Sequence, residues 1–547
     1  MSSMSQKVVT AALVVALGAT VGCGSERDTS VSVDLFGWIA NGSGQFTEGM
    51  PQYDGADELA IQVTDPNQGE LIDEQTISVD QRRARMPEVP GGGTRRLDFE
   101  VRDNTGEPIA TGATPSFRVF GNGRYHGFRA MLAPVDQFAP VASRQRNPDT
   151  NEFEFAPTTF DIREYYDEAD GWSGRMGHTA AVGDSGEVVA VGGARLGVDY
   201  QPGAVPSLNR VLGDIQVFDT ETGYFTELGA YDDAQDAGAT GEDRLADERV
   251  FHTVTHVGGD RFVVVGGFQD SGGQTTAVDS VELIDLDASP GERVEQLGSL
   301  QQARGFHTAT YRESDGTVVV AGGLGGSDDD IIDTIEIIDP DSGSISGGIS
   351  MQSPRAAHSA VLLEDDDTVW LLGGKSSSDT VEASTEIVMG EATDSAPAME
   401  QPRHSAAAKS LGETGNDLVI VVGGFTDSGV SSRFEIGNPL GGGGFESAFG
   451  GDLTTARGAP HAVMLPQSDD LVVLGGYDAD MDLVGSAQRI RLPMLETEPE
   501  MANMVHLRGE PAVAVADNGR IIVSGGDAPG DVERNDAEYL NAYDPVQ

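Results

Sequence analysis

The chain has 547 residues, and its 34 lysines and arginines stand against 89 aspartates and glutamates, a formal net charge of −55. So acidic a surface repels phosphate backbones, which argues against a nucleic-acid partner. The length exceeds one ordinary domain of about 100–200 residues, so a large repeating architecture or several domains are required.

The chain opens with Lys7 and then an uncharged, mostly apolar run from Val8 to Gly22. That run falls short of the roughly 20 residues a spanning helix needs, and it reads as a secretory signal over residues 1–22. Small Gly22 precedes Cys23 in "ATVGCGS", a stretch that resembles the bacterial lipoprotein lipobox, with Thr20 where that family prefers leucine. The resemblance implies cleavage before Cys23, acylation of its thiol, a lipidated linker over 23–30 and attachment to a membrane through the lipid. An ordinary signal peptide with a chance cysteine is the alternative. Gly24 carries no acidic retention signal, which favours the outer membrane or cell surface. Cys23 is the only cysteine, so no intrachain disulfide forms and stability must come from packing.

Residues 31–137 alternate apolar and polar positions, as in Leu59, Ile61, Val63 and in Leu97, Phe99, Val101, between the turn signals "DPNQGE", "PGGGT" and "DNTGE". Period-two alternation predicts half-buried strands and a small β-sandwich-like domain.

From residue 138 onward the chain repeats itself. An arginine, usually a histidine, an apolar strand and a glycine pair recur at Gly192–Gly193, Gly266–Gly267, Gly322–Gly323, Gly373–Gly374, Gly423–Gly424, Gly475–Gly476 and Gly525–Gly526. The first glycines are 74, 56, 51, 50, 52 and 50 residues apart. A period near fifty marks a propeller-type repeat, and strands such as "EVVAVGG", "DIQVFDT" and "TIEIIDP" make it all-β. The double glycine and the strand ending in "DP" resemble the kelch repeat. That family implies a β-propeller of four-stranded blades over 138–547, with seven blades expected and six as the alternative. The tryptophan that kelch units place in the fourth strand has no clear counterpart. "AEYLNAYDPVQ" leaves the last blade short of a strand, and residues about 149–158, in "RNPDTNEFEFAP", are expected to supply it, since an open edge would template aggregation.

Six of the nine histidines, His178, His252, His307, His358, His404 and His461, are read as occupying one repeat position, one per blade. Metal ligands must converge, so histidines spread around a ring are expected to satisfy backbone groups together with the repeat arginines. The glycines read as structural too, permitting close backbone approach and a sharp exit into a loop.

The loops after the glycine pairs share one face of a propeller and carry Asp270, Asp328, Asp329, Asp330, Asp379, Asp427, Asp478 and Asp480, with Asp199 and Asp527 in the first and last. Their summed field suits cations or a basic partner, and calcium is the cation whose preference for carboxylates these loops could meet, although none matches the spacing of a known calcium loop. No other cofactor is implied. The first unit adds two inserts, of which "ARLGVDYQPGAVPSLNRVLG", with Tyr200, Leu208 and Arg210, has contact chemistry for a ligand.

No Gly-x-Ser-x-Gly elbow, His-Glu-x-x-His helix or phosphate-binding loop is present. Some enzymes with kelch-like propellers oxidise sugars at a copper site needing a cysteine crosslinked to tyrosine, and Cys23 cannot serve that role. No catalytic residue is assigned. The expectation is a non-catalytic, lipid-anchored propeller binding a protein or glycan at the cell surface; a glycan-binding or sugar-mutarotase-like exported propeller is the alternative.

Overall fold

The computed structural model describes residues 14–16, 30–40, 46–49, 55–65, 70–78, 94–114, 117–118, 125–135, 138–140, 142–146, 153–157, 175–196, 200–219 and 224–228, then 243–540 apart from 364–366, 412–417, 439–443, 446–449, 466–469, 493–494, 502–503, 505–506, 517–519 and 527–536. Cys23 lies outside the described residues, as do Asp199 and Asp527.

Every regular element among the described residues is a β-strand. Seven small sheets follow the seven glycine pairs. In unit three, for example, Thr308–Arg312, Thr317–Ala321, Thr334–Asp339 and Ser344–Ser350 form an antiparallel meander. Units one, two, four, five and six repeat that order, starting from Thr179–Val182, Thr253–His256, Ser359–Leu363, Ala407–Ser410 and His461–Met464. Repeated four-stranded antiparallel sheets of this kind make a β-propeller-like architecture.

Second strands such as Val188–Val191, Thr368–Leu372 and Leu471–Leu474 are buried throughout. Their neighbours explain why the sequence there is a continuous apolar run rather than an alternation: both faces of each sheet meet another sheet. Val263, Val265 and Leu283 of unit two pack with Val318, Val320 and Ile338 of unit three. Comparable clusters join each unit to the next, and one joins Val188, Ala190 and Phe218 of unit one to Ala514, Ile522 and Ala537 of unit seven. The first strands sit side by side in the same cyclic order, with Thr179–Val182 beside Ala512–Val515. They are mostly half-buried along their length, unlike the second strands, so they form an inner edge that water reaches.

The closing strand is not the expected one. In unit seven, Ala512–Val515, Ile521–Ser524 and Ala537–Leu540 are completed by Phe138–Pro140, which pairs antiparallel with Leu540–Glu538. The segment expected in that role forms the strand Phe153–Pro157 instead, in a hairpin with Ala142–Arg146 that extends the sheet of unit one. A short loop closes at small entropic cost, so "NEFEFAP" finds its partner a few residues upstream.

Residues 30–134 hold two further sheets. Ser30–Ala40 pairs with Phe46–Gly49 and with Tyr125–Met131, and in the unprocessed chain also with Val14–Ala16, a strand inside the stretch expected to be removed as a signal. A second sheet joins Ala56–Asp65, Glu70–Ser78, Thr94–Asp103, Pro108–Ala113, Phe117–Arg118 and Ala133–Pro134. Its central strands are more buried than half-buried strands would be. Leu59, Ile61, Val63, Leu97, Phe99 and Val101 form the apolar face, and on the other face Ala60, Thr64, Arg96, Asp98 and Glu100 are also buried. Thr64 Oγ1 donates to Asp98 at 2.7 Å and Arg96 Nε at 2.8 Å, so the polar face covers itself.

Candidate functional site

Seven arginines, Arg175, Arg249, Arg304, Arg355, Arg403, Arg457 and Arg508, are wholly buried, one per unit. Each donates from Nη1 to the carbonyl of the first glycine in its own pair, at 2.7–3.2 Å. The carbonyls of Arg249, Arg304, Arg355, Arg403 and Arg457 accept from the second glycine of the preceding unit, as in Gly323 N to Arg355 O at 2.9 Å, and Gly526 N to Arg175 O at 2.8 Å continues the series from unit seven to unit one. The glycine is required there: Gly323 has φ 110°, and a Cβ would stand 2.7 Å from the Gly305 carbonyl oxygen.

Each of these charges needs a partner. Arg304 and Arg355 reach Glu336 and Glu386 at 2.6 Å, Arg249 and Arg403 pair with Glu282 and Glu435, and Arg175 reaches Asp214 at 2.5 Å. The same glutamates accept backbone N–H groups from the strap that leads into the unit, as Glu386 does from Gln352 and Ser353. Burial raises the pKa of Glu282 against the pull of Arg249 and lowers that of Arg249, so desolvation outweighs attraction in this pair. Such pairs fix geometry more than they stabilise. These glutamates were legible in the sequence and were missed: each is an acid in the middle of an apolar third strand, as in "TIEIID".

The histidines divide into two groups. His178, His252, His307 and His358 bridge to the preceding unit through Nε2, to Ser524, Thr179, Thr253 and Thr308 at 2.9–3.1 Å. Burial, with neighbouring arginines, pulls His178, His252 and His358 well below the ordinary range and His307 down to about 3, so all four are neutral. His404 and His461 do not share that position, which corrects the reading of six equivalents. Counting from the arginines, Ala406 and Pro460 stand there. His404 stacks on Phe425 at 5.3 Å, and His461 pairs with Leu474 as Thr179 pairs with Val191. Sequence spacing from arginine aligned them by residue type, whereas strand register separates them.

At the glycine-pair end, one residue per unit adopts a left-handed backbone: Gly177, Phe251, Phe306, Ala357, Ser405, Ala459 and Glu510. Backbone N–H groups from Phe251 through Ala459 each donate to the previous member of this collar, at 2.7–3.3 Å. Six non-glycine residues held there mark a strained rim.

The first insert lies across that rim. Tyr200 stacks on Phe251 at 5.3 Å, Phe251 stacks on Phe306 at 4.4 Å, and the Tyr200 hydroxyl donates to Glu510 at 2.5 Å. Val205 N donates to Asp328 at 2.6 Å, Thr275 donates to the Pro206 carbonyl at 2.6 Å, and Lys375 Nζ lies 3.5 Å from the Gly203 carbonyl. Residues 200–206 thus touch units two, three, four and seven. Arg210 falls in the strand Leu208–Val211, opposite Arg195.

The acidic residues do not converge. Asp270, Asp328, Asp329, Asp330, Asp427 and Asp480 are exposed and Asp478 is half-buried. Asp270 accepts from Gly273 N, Asp330 from Gly326 N, and Asp478 from the N–H groups of Asp480 and Asp482, so three of these carboxylates organise their own turns. Among the described residues no three His, Cys, Asp or Glu side chains are grouped as metal ligands would be.

No protein-family model matches the chain, and no curated protein matches it. Many solved structures are similar in fold, two of them as follows. One is YjhT, 15% identical, covering 60% of this chain and 98% of its own, with a TM-score of 0.42. The other is a fungal alcohol oxidase of the AA5 family in complex with copper, 14% identical, covering 67% of this chain and 74% of its own, with a TM-score of 0.48. Likeness this distant says nothing of activity or ligand.

Proposed function

We propose that this chain is a seven-bladed propeller of kelch type acting as a non-catalytic binding or scaffold module, exported and held at a bacterial outer membrane or cell surface by a lipid on Cys23. One observation supports the binding reading above the rest. The repeated polar side chains are turned inward to hold the ring: arginine to glycine carbonyl, glutamate to arginine, histidine to a hydroxyl of the preceding unit. What is left for recognition is the glycine-pair end, with exposed Asp270, Asp329, Asp427 and Asp480 around the strap at 200–206. Acidic loops on a rigid frame suit a protein partner with a basic face or a surface glycan bridged by calcium.

The test is in-cell crosslinking of a C-terminally tagged chain, compared with a variant in which Asp270, Asp329, Asp427 and Asp480 are all changed to Asn. Capture of one envelope protein that disappears with the charges supports the reading. A variant that captures the same proteins as the parent, or a parent that exchanges sugar anomers above background, overturns it. Cys23→Ala should move the chain out of the membrane fraction; unchanged fractionation would remove the lipid from the reading.

A further inference from the structure

Repetition makes each unit a control for the others: what the units share is what the ring requires, and what one unit alone carries has another cause. Two residues along the inner strand from the position next to the glycine pair stand Ala181, Thr255, Thr310, Val361, Lys409, Val463 and Ala514, equivalent by register. Six are uncharged, and the seventh is one of only three lysines in the chain. At the level above, Thr179, Thr253, Thr308, Ser359, Ala407 and Ala512 have a single titratable counterpart, His461, on the inner strand next to that of Lys409. Units five and six also lie in the run of three, five to seven, in which Ala406, Pro460 and Pro511 replace the bridging imidazole. The departures from the repeat therefore gather in one sector of the inner edge.

Lys409 is set apart from the other cations of the ring. The arginines are paired with carboxylates or carbonyls, whereas Lys409 has neither a hydrogen bond nor an ion pair with any described residue. Its side chain is open to water, yet protein crowds it closely enough for burial to lower its pKa. Those two facts agree if the amine stands in the narrow water-reached space inside the ring rather than on an outer surface. His461, on the neighbouring inner strand, feels the charge of Lys409 and is neutral, held at about 4 by burial first and by Lys409 second, so it can donate or accept a hydrogen bond without adding charge.

We propose that Lys409, with His461 on the neighbouring strand, is a binding site for a compact oxyanion, a phosphate or a small carboxylate, on the inner edge of units five and six. A net charge of −55 offers no long-range attraction for such a ligand, so recognition is local: one ammonium without a counter-ion among the described residues and one imidazole on the adjacent strand. This site does not depend on the acidic end proposed above for partner binding.

The experiment is calorimetric titration of the full chain with inorganic phosphate and separately with acetate, each against sodium chloride of matched ionic strength. Saturable heat with one or both anions is expected, and which anion gives it identifies the class. Lys409→Met should weaken that binding at least about tenfold, the scale of one charge-assisted hydrogen bond. A measurement on the unaltered chain guards against a variant that does not fold: phosphate or acetate should slow acylation of Lys409 by an amine-reactive reagent, read by mass spectrometry, while leaving Lys375 unaffected. Absence of heat with both anions, equal binding by Lys409→Met, or equal protection of Lys409 and Lys375 overturns the proposal.

Discussion

Units three and six are built to one plan and differ in how completely they execute it. In unit three, Arg304 meets Glu336, Thr334 and the Gly322 carbonyl, and His307 bridges to unit two. In unit six, Gln488 stands where Glu336 does, Arg457 has only Glu500 at 3.8 Å as a carboxylate neighbour, and Pro460 replaces the histidine. Yet Arg457 still reaches the Gly475 and Ser486 carbonyls, at 3.2 and 2.6 Å, and unit six packs as its neighbours do. The guanidinium on the glycine carbonyl is the part that recurs in every unit, while its carboxylate and the imidazole bridge are optional.

That contrast can be broken by mutation. Arg304→Met abandons a buried Glu336 and should cost about 3–5 kcal/mol, whereas Arg457→Met leaves no buried carboxylate behind and should cost less. Denaturant unfolding of the two variants checks this, and equal losses would show that the carboxylate is not what separates the units. Gly323→Ala forces a Cβ against the Gly305 carbonyl at φ 110° and should cost about 1–3 kcal/mol, against a smaller loss for Gly272→Ala, where nothing lies within 4 Å.

The histidines give a pH signature. His307 titrates at about 3 in the folded chain against 6.5 in the unfolded one, so between those values the unfolded state holds more protons. Its contribution is whole above pH 6.5 and is lost as pH falls toward 3, by up to about 1.4 kcal/mol per pH unit. His307→Gln should flatten the acid limb of the stability profile, and an unaltered slope would mean the imidazole is not neutral in the fold. The smallest effect is expected at the rim: Tyr200→Phe removes one hydrogen bond to Glu510 and should cost about 1 kcal/mol, with faster amide exchange confined to 200–206.

The repeat was legible because the backbone itself demands it. A residue lacking Cβ is needed twice per unit, so the glycine pairs announce every sheet, and the buried second strands read directly as apolar runs. Glu336 and its equivalents could have been read as well, since an acid flanked by isoleucines on a strand signals a paired buried charge. Other features leave no periodic trace. The contacts of Tyr200 with Phe251 and Glu510 join residues 51 and 310 positions apart, the closing strand Phe138–Pro140 is three residues long, and the displacement of His404 and His461 depends on strand register that residue spacing only approximates. Lys409 stood in plain view as one of three lysines, but only its six equivalents give it meaning.

The pairing of Phe138–Pro140 with Ala537–Leu540 also governs how the molecule comes into being. A ribosome must add some 400 residues after the first of these strands before the second exists, so the ring is a late event however early its sheets form. Until then both ends of the growing array expose an unpaired edge, a hazard for a chain read as crossing a membrane before it matures. Folding should therefore show fast formation of local meanders followed by one slow phase of closure, as expected when the decisive strand pairing is the most distant in sequence among the described residues.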